Sequence, residues 1–176
     1  MVNEGRLVNE KRRALVNDIY ERYTTEIENS FVNTTICENN DLRSKRVTGT
    51  KQTDIVFEHM DSVSAVMKYA GEDTAILNFA NYETPGGDFL YGAMAQEEAL
   101  CLESTLYPVI SNHEFYYKEN RQSLNYVGVL YSNRALWSPG IVFFRDGKEK
   151  YCDVITCAAP NASAYLSAGG SKVVNE

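Results

Sequence analysis

Residues 77–103, LNFANYETPGGDFLYGAMAQEEALCLE, constrain this chain more than any other stretch. Residues 74–80 form a short, mostly apolar run after a turn at Gly71, which predicts a buried strand. A loop over 81–91 follows, with Pro85, Gly86 and Gly87 at its centre. Glycine lets a backbone approach a ligand closely and leaves amide N–H groups free to face oxygens. From about Gly92 the residues predict a helix, with Ala93, Ala95, Ala99, Leu100 and Leu102 as good formers and Gln96, Glu97 and Glu98 in its first turns. A strand, a glycine loop and a helix start in this order are a common way to build an anion or nucleotide site.

Two adjacent carboxylates carry a geometric clue. Neighbouring helix residues point about 100° apart. Glu97 and Glu98 therefore cannot flank one bond from opposite sides, as the paired carboxylates of ordinary glycosidases do. One can meet a reacting centre while the other orients a hydroxyl beside it. A carboxyl near a helix N-terminus is stabilised as the anion, so acid duty requires burial or a neighbouring phosphate to raise its pKa. Glu-Glu alone is ordinary solvated helix surface and Pro-Gly-Gly alone an ordinary turn; the combination is the specific signal.

The rest of the chain supplies a frame. Leu15, Ile19, Tyr23 and Ile27 recur every four residues and predict a packing helix over about 9–27. Residues 31–37 read as a short strand, 38–45 as a polar loop and 46–57 as extended. Asp61 or Ser62 caps a predicted helix to Ala70, with Gly71 as its C′ residue. Three further strands are predicted over 125–131, 141–144 and 154–158, with a hairpin turn at Asp146-Gly147. Pro160-Asn161 marks a strand end, where α/β sheets place ligand loops. The βαβα order favours an α/β layered fold with partly parallel strands in one domain of 176 residues. Phe115, Tyr116, Tyr117, Tyr126 and Tyr131 form an aromatic cluster, either core or a stacking surface for a base.

Charge narrows the partners. Seventeen basic against 24 acidic residues give a net −7, which argues against a non-specific grip on nucleic acid or an anionic membrane surface. It leaves room for one anion held by backbone amides. No signal peptide and no apolar run near 18 residues is visible. Cys37, Cys101, Cys152 and Cys157 make no CxxC pair, and reduced thiols in the cytoplasm are the expectation. His59 and His113 have no cysteine pattern around them, so no metal is expected, and each reads as incidental.

Gly86-Gly87 followed by Gln96-Glu97-Glu98 resembles the signature of bacterial-type poly(ADP-ribose) glycohydrolases, a branch of the macrodomain superfamily. Residues 77–80, Phe89-Leu90, 95–98, 100–107, Tyr131-Ser132, Ser138-Pro139, 142–146, 153–156 and 159–161 carry the resemblance further. It implies a three-layer α/β/α macrodomain-like mixed sheet, with a packing segment over 1–45, a core over 46–161 and a tail over 162–176. The family continues well past the equivalent of Asn161, so the fold is expected to be incomplete at its C-terminus. Where the family has a third glycine this chain has Asp88, a carboxylate that can crowd or repel a diphosphate.

The implied activity is hydrolysis of ribose–ribose O-glycosidic bonds of poly(ADP-ribose), releasing ADP-ribose without a cofactor. By position, Glu98 is the implied catalytic carboxyl and Glu97 orients ribose hydroxyls. Asn78 bonds the distal ribose, the Gly86 and Gly87 amides approach the diphosphate and ribose with Asp88 beside them, Phe89 packs nearby and Gln96 steadies the helix start and the local loop. The implied partners are ADP-ribose, poly(ADP-ribose) and ADP-ribosylated proteins. Two alternatives stay open: a non-catalytic ADP-ribose-binding module, or a scaffold completed by another chain, with self-association through an open sheet edge.

Overall fold

The computed structural model describes residues 2–38, 52–122 and 134–159. Helix α1 spans Val2–Arg22 and α2 spans Thr24–Asn33. The single helix expected over 9–27 is therefore two, joined at Tyr23 (φ −122°, ψ 32°). The buried stripe survives the joint: Ile19, Tyr23 and Ile27 all enter the core. The joint lies where tertiary contact overrides local propensity. The Tyr23 ring stacks on Phe144 with centroids 5.6 Å apart, and its hydroxyl donates to Glu149 Oε1 at 2.6 Å. Residues 31–33 continue α2, so strand β1 is Thr35–Glu38 and not 31–37.

Helix α3, Ser62–Tyr69, begins at the expected cap: the Asp61 side chain accepts from Ser64 N at 3.0 Å. It ends on an extended Ala70, and Gly71 is not left-handed. Instead the Gly71 amide donates to Thr74 Oγ1 at 2.9 Å and starts the turn into β2, Ala75–Phe79. Residues 52–61 form no regular element, and Ile55, Val56 and Phe57 there are exposed. The remaining part of the expected extended segment, 46–51, lies outside the described residues.

After β2 come a 3-10 turn at Phe89–Tyr91 and three short helices: α4 Gln96–Leu102, α5 Leu106–Ile110 and α6 Glu114–Gln122. The helix expected from Gly92 starts four residues later. Gly92 is left-handed (φ 89°) and closes the 3-10 turn, so the chain cannot run on as α-helix. Strands β3, Arg134–Arg145, and β4, Lys148–Cys157, are longer than the runs expected at 141–144 and 154–158. Asp146 and Gly147 both have positive φ (52° and 72°), as a two-residue hairpin requires. The predicted strand at 125–131 and the Pro160-Asn161 strand end lie outside the described residues.

The sheet order is β1-β3-β4-β2, with β1/β3 and β3/β4 antiparallel and β2/β4 parallel. Leu136, Ile141, Val142, Phe143 and Val154 meet Leu100, Leu106, Val109 and Ile110 in one core. Tyr116 and Tyr117 belong to it as an edge-to-face pair 5.0 Å apart, which removes both from any stacking surface; Phe115 is exposed. His113 is a packing residue, its ring 4.9 Å from Phe31, and burial lowers its pKa. Side chains alternate across a pleat, so Leu77, Ile155 and Trp137 share the other face in one row of paired residues, all partly exposed. All four cysteines are free, and no helix among the described residues is long and apolar enough to cross a membrane.

Arg145 ties the hairpin to the helices. Its guanidinium donates to both oxygens of Glu103 at 2.6 Å, to both oxygens of Asp61 at 3.1 Å and to Ser64 Oγ at 2.6 Å. It thereby fixes the N-terminus of α3 and the C-terminus of α4, the helix that carries the paired glutamates, to the end of β3.

Candidate active site

Parallel pairing places Asn78 opposite Thr156, both fully buried. Asn78 Nδ2 donates to Thr156 Oγ1 at 3.3 Å and to Glu97 Oε1 at 3.2 Å. Asn78 Oδ1 has no donor among the described residues, and a buried unpaired acceptor is costly. Gly86 N also donates to Glu97 Oε1, at 3.2 Å, and Asn81 N donates to Oε2 at 2.7 Å. Glu97 therefore ties together β2, the glycine loop and α4.

Glu98 is pinned beside it. Asp88 N donates to its Oε1 and Ala95 N to its Oε2, both at 3.1 Å. The second bond is half of a capping box, in which the third helical residue reaches back to the N-cap amide. Gly87 has φ 56°, and a Cβ there would collide with Glu98 Oε1. Gly86 has φ 69°, and a Cβ would stand 2.7 Å from the Tyr107 ring. Both glycines are demanded twice, by backbone conformation and by space.

Burial dominates the electrostatics. It pushes the Glu97 carboxyl up to about 7, with the Glu98 charge adding to the rise and the bonds from Asn81, Asn78 and Gly86 opposing it. Burial likewise raises the Cys101 thiol and the Tyr117 hydroxyl, the latter without a hydrogen-bond partner.

The predicted residues converge, with changes. The Gly86 and Gly87 amides, expected to face a diphosphate, donate instead to Glu97 Oε1 and Thr84 O. Gln96, expected to steady the helix start and the local loop, ties the helix start to β2 and α3: Oε1 accepts from Phe79 N at 2.9 Å, and Nε2 donates to Leu77 O at 2.8 Å and to Ser62 Oγ at 3.3 Å. Asp88 is exposed, with an ordinary φ of −94°, and its amide is spent on Glu98. A third glycine is thus not required by the backbone there. Phe89 is fully buried with its ring 5.1 Å from Tyr107.

Asn81, Thr156 and Tyr107 were not singled out from sequence. Asn81 had a signal: its Oδ1 accepts from Glu83 N and Thr84 N, an Asx turn in front of Pro85. Thr156 and Tyr107 meet the site only through tertiary pairing. Among the described residues no group of His, Cys, Asp and Glu is placed to hold a metal ion.

Comparison with known proteins agrees with this geometry. The family described as microbial-type PARG, catalytic domain, matches residues 1–146. No curated protein sequence matches. The crystal structure of poly(ADP-ribose) glycohydrolase from Thermomonospora curvata shares the fold at 24% identity and TM-score 0.76, over 94% of this chain and 69% of that one. The same enzyme bound to the inhibitor ADP-HPD is similar at 25% identity and TM-score 0.73, over 88% and 65%. The Deinococcus radiodurans enzyme in complex with ADP-ribose is similar at 31% identity and TM-score 0.68, over 80% of this chain and 60% of that one. The chain thus spans between 60% and 69% of the length of these three structures. With the family matched over most of its length and the glutamate pair folded onto the glycine loop, the chain belongs to the microbial-type PARG catalytic domain family.

Proposed function

We propose that the chain hydrolyses ribose–ribose O-glycosidic bonds of poly(ADP-ribose) and releases ADP-ribose. The observation that carries this reading is the Glu98 carboxyl packed against Gly87, where only a glycine lets ligand and carboxyl approach together. Asn78 Oδ1, buried and unpaired beside Glu97, is the acceptor that a ribose hydroxyl would satisfy. The relatives' complexes with ADP-ribose and ADP-HPD support the same ligand class.

In this mechanism Glu98 donates its proton to the departing ribose oxygen as the anomeric C–O bond breaks. Charge builds on an oxocarbenium-like carbon. Water attacks that carbon and returns its proton to Glu98, so acid and base are one residue and the balance closes. Glu97 and Asn78 hold ribose hydroxyls in register. The Gly86 and Gly87 amides are bonded to Glu97 Oε1 and Thr84 O, so in this mechanism the two glycines serve close approach of the ligand to the carboxyls and not donation to a diphosphate.

ADP-ribosylated proteins are the natural carriers of such a polymer, and a reduced intracellular compartment suits four free thiols. Self-association through the β2 edge has to displace the Gln96 amide, which already occupies Phe79 N and Leu77 O.

The test is release of ADP-ribose from poly(ADP-ribose) by the wild type and by Glu98→Gln. Turnover by the wild type, its loss in Glu98→Gln and comparable ADP-ribose affinity of both are expected. An active Glu98→Gln with an inactive Glu97→Gln would reverse the two roles. ADP-ribose binding without turnover by the wild type would leave a binding module.

A further inference from the structure

Four arginines lie on α1, and two of them differ from the rest. Arg6 pairs with Glu10 and Arg22 with Asp18, each at 2.9 Å and four residues apart. Arg12 and Arg13 have Val8, Val16, Asn9 and Asn17 at those spacings. Neither has a carboxylate within ion-pair distance among the described residues. They are nevertheless held in place by neutral groups. The Arg12 guanidinium lies 5.1 Å over the Phe89 ring and donates to Met94 Sδ at 3.3 Å. Arg13 Nε donates to Asn9 Oδ1 at 2.8 Å, and Asn9 Nδ2 in turn donates to Leu90 O at 3.1 Å.

Both cations therefore stand against the end of the glycine loop, at Phe89 and Leu90. Phe89 packs on Tyr107, which meets Gly86, while Gly87 meets Glu98. A Cβ on Gly92 would stand 2.6 Å from Val8 Cγ1, so the chain just after Tyr91 lies against α1. Tyr91 is 70% exposed and Met94 62% exposed, so an aromatic face and a thioether lie open near two guanidinium groups that have no carboxylate partner among the described residues. The planar guanidinium fork matches phosphate oxygens, and an exposed tyrosine offers a face for a base. In a chain of net −7, two adjacent arginines with no carboxylate partner among the described residues make a local cationic spot on α1.

We infer that Arg12 and Arg13, with Tyr91, form a subsite for the diphosphate and base of a second ADP-ribose unit, so that the enzyme grips a polymer at two of its units. The inference deepens the proposed glycohydrolase reading and depends on it. A nucleic acid presents phosphates too, but a continuous backbone needs many cations, whereas widely spaced diphosphates need only a pair.

Binding of ADP-ribose monomer, of a size-fractionated poly(ADP-ribose) oligomer and of a poly(A) RNA of similar length is measured by calorimetry for the wild type, Arg13→Gln and Arg12→Gln/Arg13→Gln. Arg13 is exposed, so the single variant keeps the test valid where the double variant unfolds. The expected result is oligomer affinity lowered about tenfold or more, a shallower salt slope by about one per arginine removed, and monomer affinity within about twofold. Unchanged oligomer affinity with intact monomer binding overturns the subsite and leaves the glycohydrolase reading standing. Absence of monomer and oligomer binding in the wild type overturns both. RNA binding as tight as the oligomer's, lost equally in the variants, overturns the assignment to ADP-ribose units.

Discussion

Asn78 Nδ2 donates to Glu97 Oε1 at 3.2 Å with both side chains shut away from solvent. The bond joins the strand and the helix on which the candidate chemistry depends, and it makes stability depend on pH. Folded Glu97 keeps its proton up to about 7, against an ordinary value near 4.5. Between these limits the folded chain binds more protons than the unfolded one, so stability falls as pH rises. The contribution, fully present below pH 4.5, is about 3 kcal/mol and is lost by about pH 7. Urea titrations at pH 5 and 7.5 should show the loss in the wild type and a flatter dependence in Glu97→Gln. An equal slope in both would mean that Glu97 is ionised throughout.

Gly87→Ala should separate stability from activity. The new methyl group meets Glu98 Oε1, and the left-handed backbone adds about 1–2 kcal/mol of strain. Moving a carboxyl by an ångström can lower turnover about 100-fold. The variant should melt a few degrees lower but remain folded, with kcat down by roughly that factor. Near-normal kcat would show that Glu98 need not sit where the structure has it.

Gln96→Ala tests the edge of β2. The amide fills a peptide's place along the strand, accepting from Phe79 N and donating to Leu77 O. The strand end is exposed, so water replaces these bonds and the longer one from Nε2 to Ser62 Oγ, and the stability cost should be only about 1 kcal/mol. The larger effect should be kinetic, because Gln96 precedes Glu97 and anchors the helix start to the Asn78 strand. A drop in kcat of about tenfold with an almost unchanged melting temperature is expected; the reverse pattern would make Gln96 a purely structural brace.

Much of this arrangement was legible in the chain, and the parts that were not share a cause. Local signals gave the strand carrying Asn78, the Asp61 cap and the Asp146-Gly147 hairpin, because each depends on neighbours in sequence. The resemblance supplied Glu97 and Glu98 as a pair with separate roles. Tyr23 was placed correctly as buried but wrongly inside one helix, since its stacking on Phe144 comes from residues more than a hundred positions away. Gly92 was read as helix because its left-handed φ follows from closing the 3-10 turn behind Phe89, which composition does not reveal. The partners of Gln96 and the neutral anchors of Arg12 are likewise tertiary.

Arg145 gives a prediction away from the glutamates. Its guanidinium is partly buried and satisfies Glu103 and Asp61 together, holding Asp61 well below the usual carboxylate range. Removing the cation takes this donor from Glu103 and leaves Asp61 with Ser64 N and Ser64 Oγ, at the joint between β3, α3 and the end of the glutamate helix. Arg145→Gln should lower stability by about 2 kcal/mol at neutral pH. The sign with pH is opposite to that of Glu97. A depressed carboxylate contributes above its ordinary value and loses that contribution as pH falls, so wild-type stability should drop more steeply than the variant's on acidification below about pH 4. Glu97 and Glu98 lie at the other end of α4, so a displaced helix should also weaken turnover. Thermal melts from pH 2.5 to 7, paired with poly(ADP-ribose) turnover at 25 °C, distinguish the outcomes. Parallel acid limbs in wild type and variant would show that Asp61 gains nothing from Arg145, and unchanged turnover would show that α4 holds its position without the clamp.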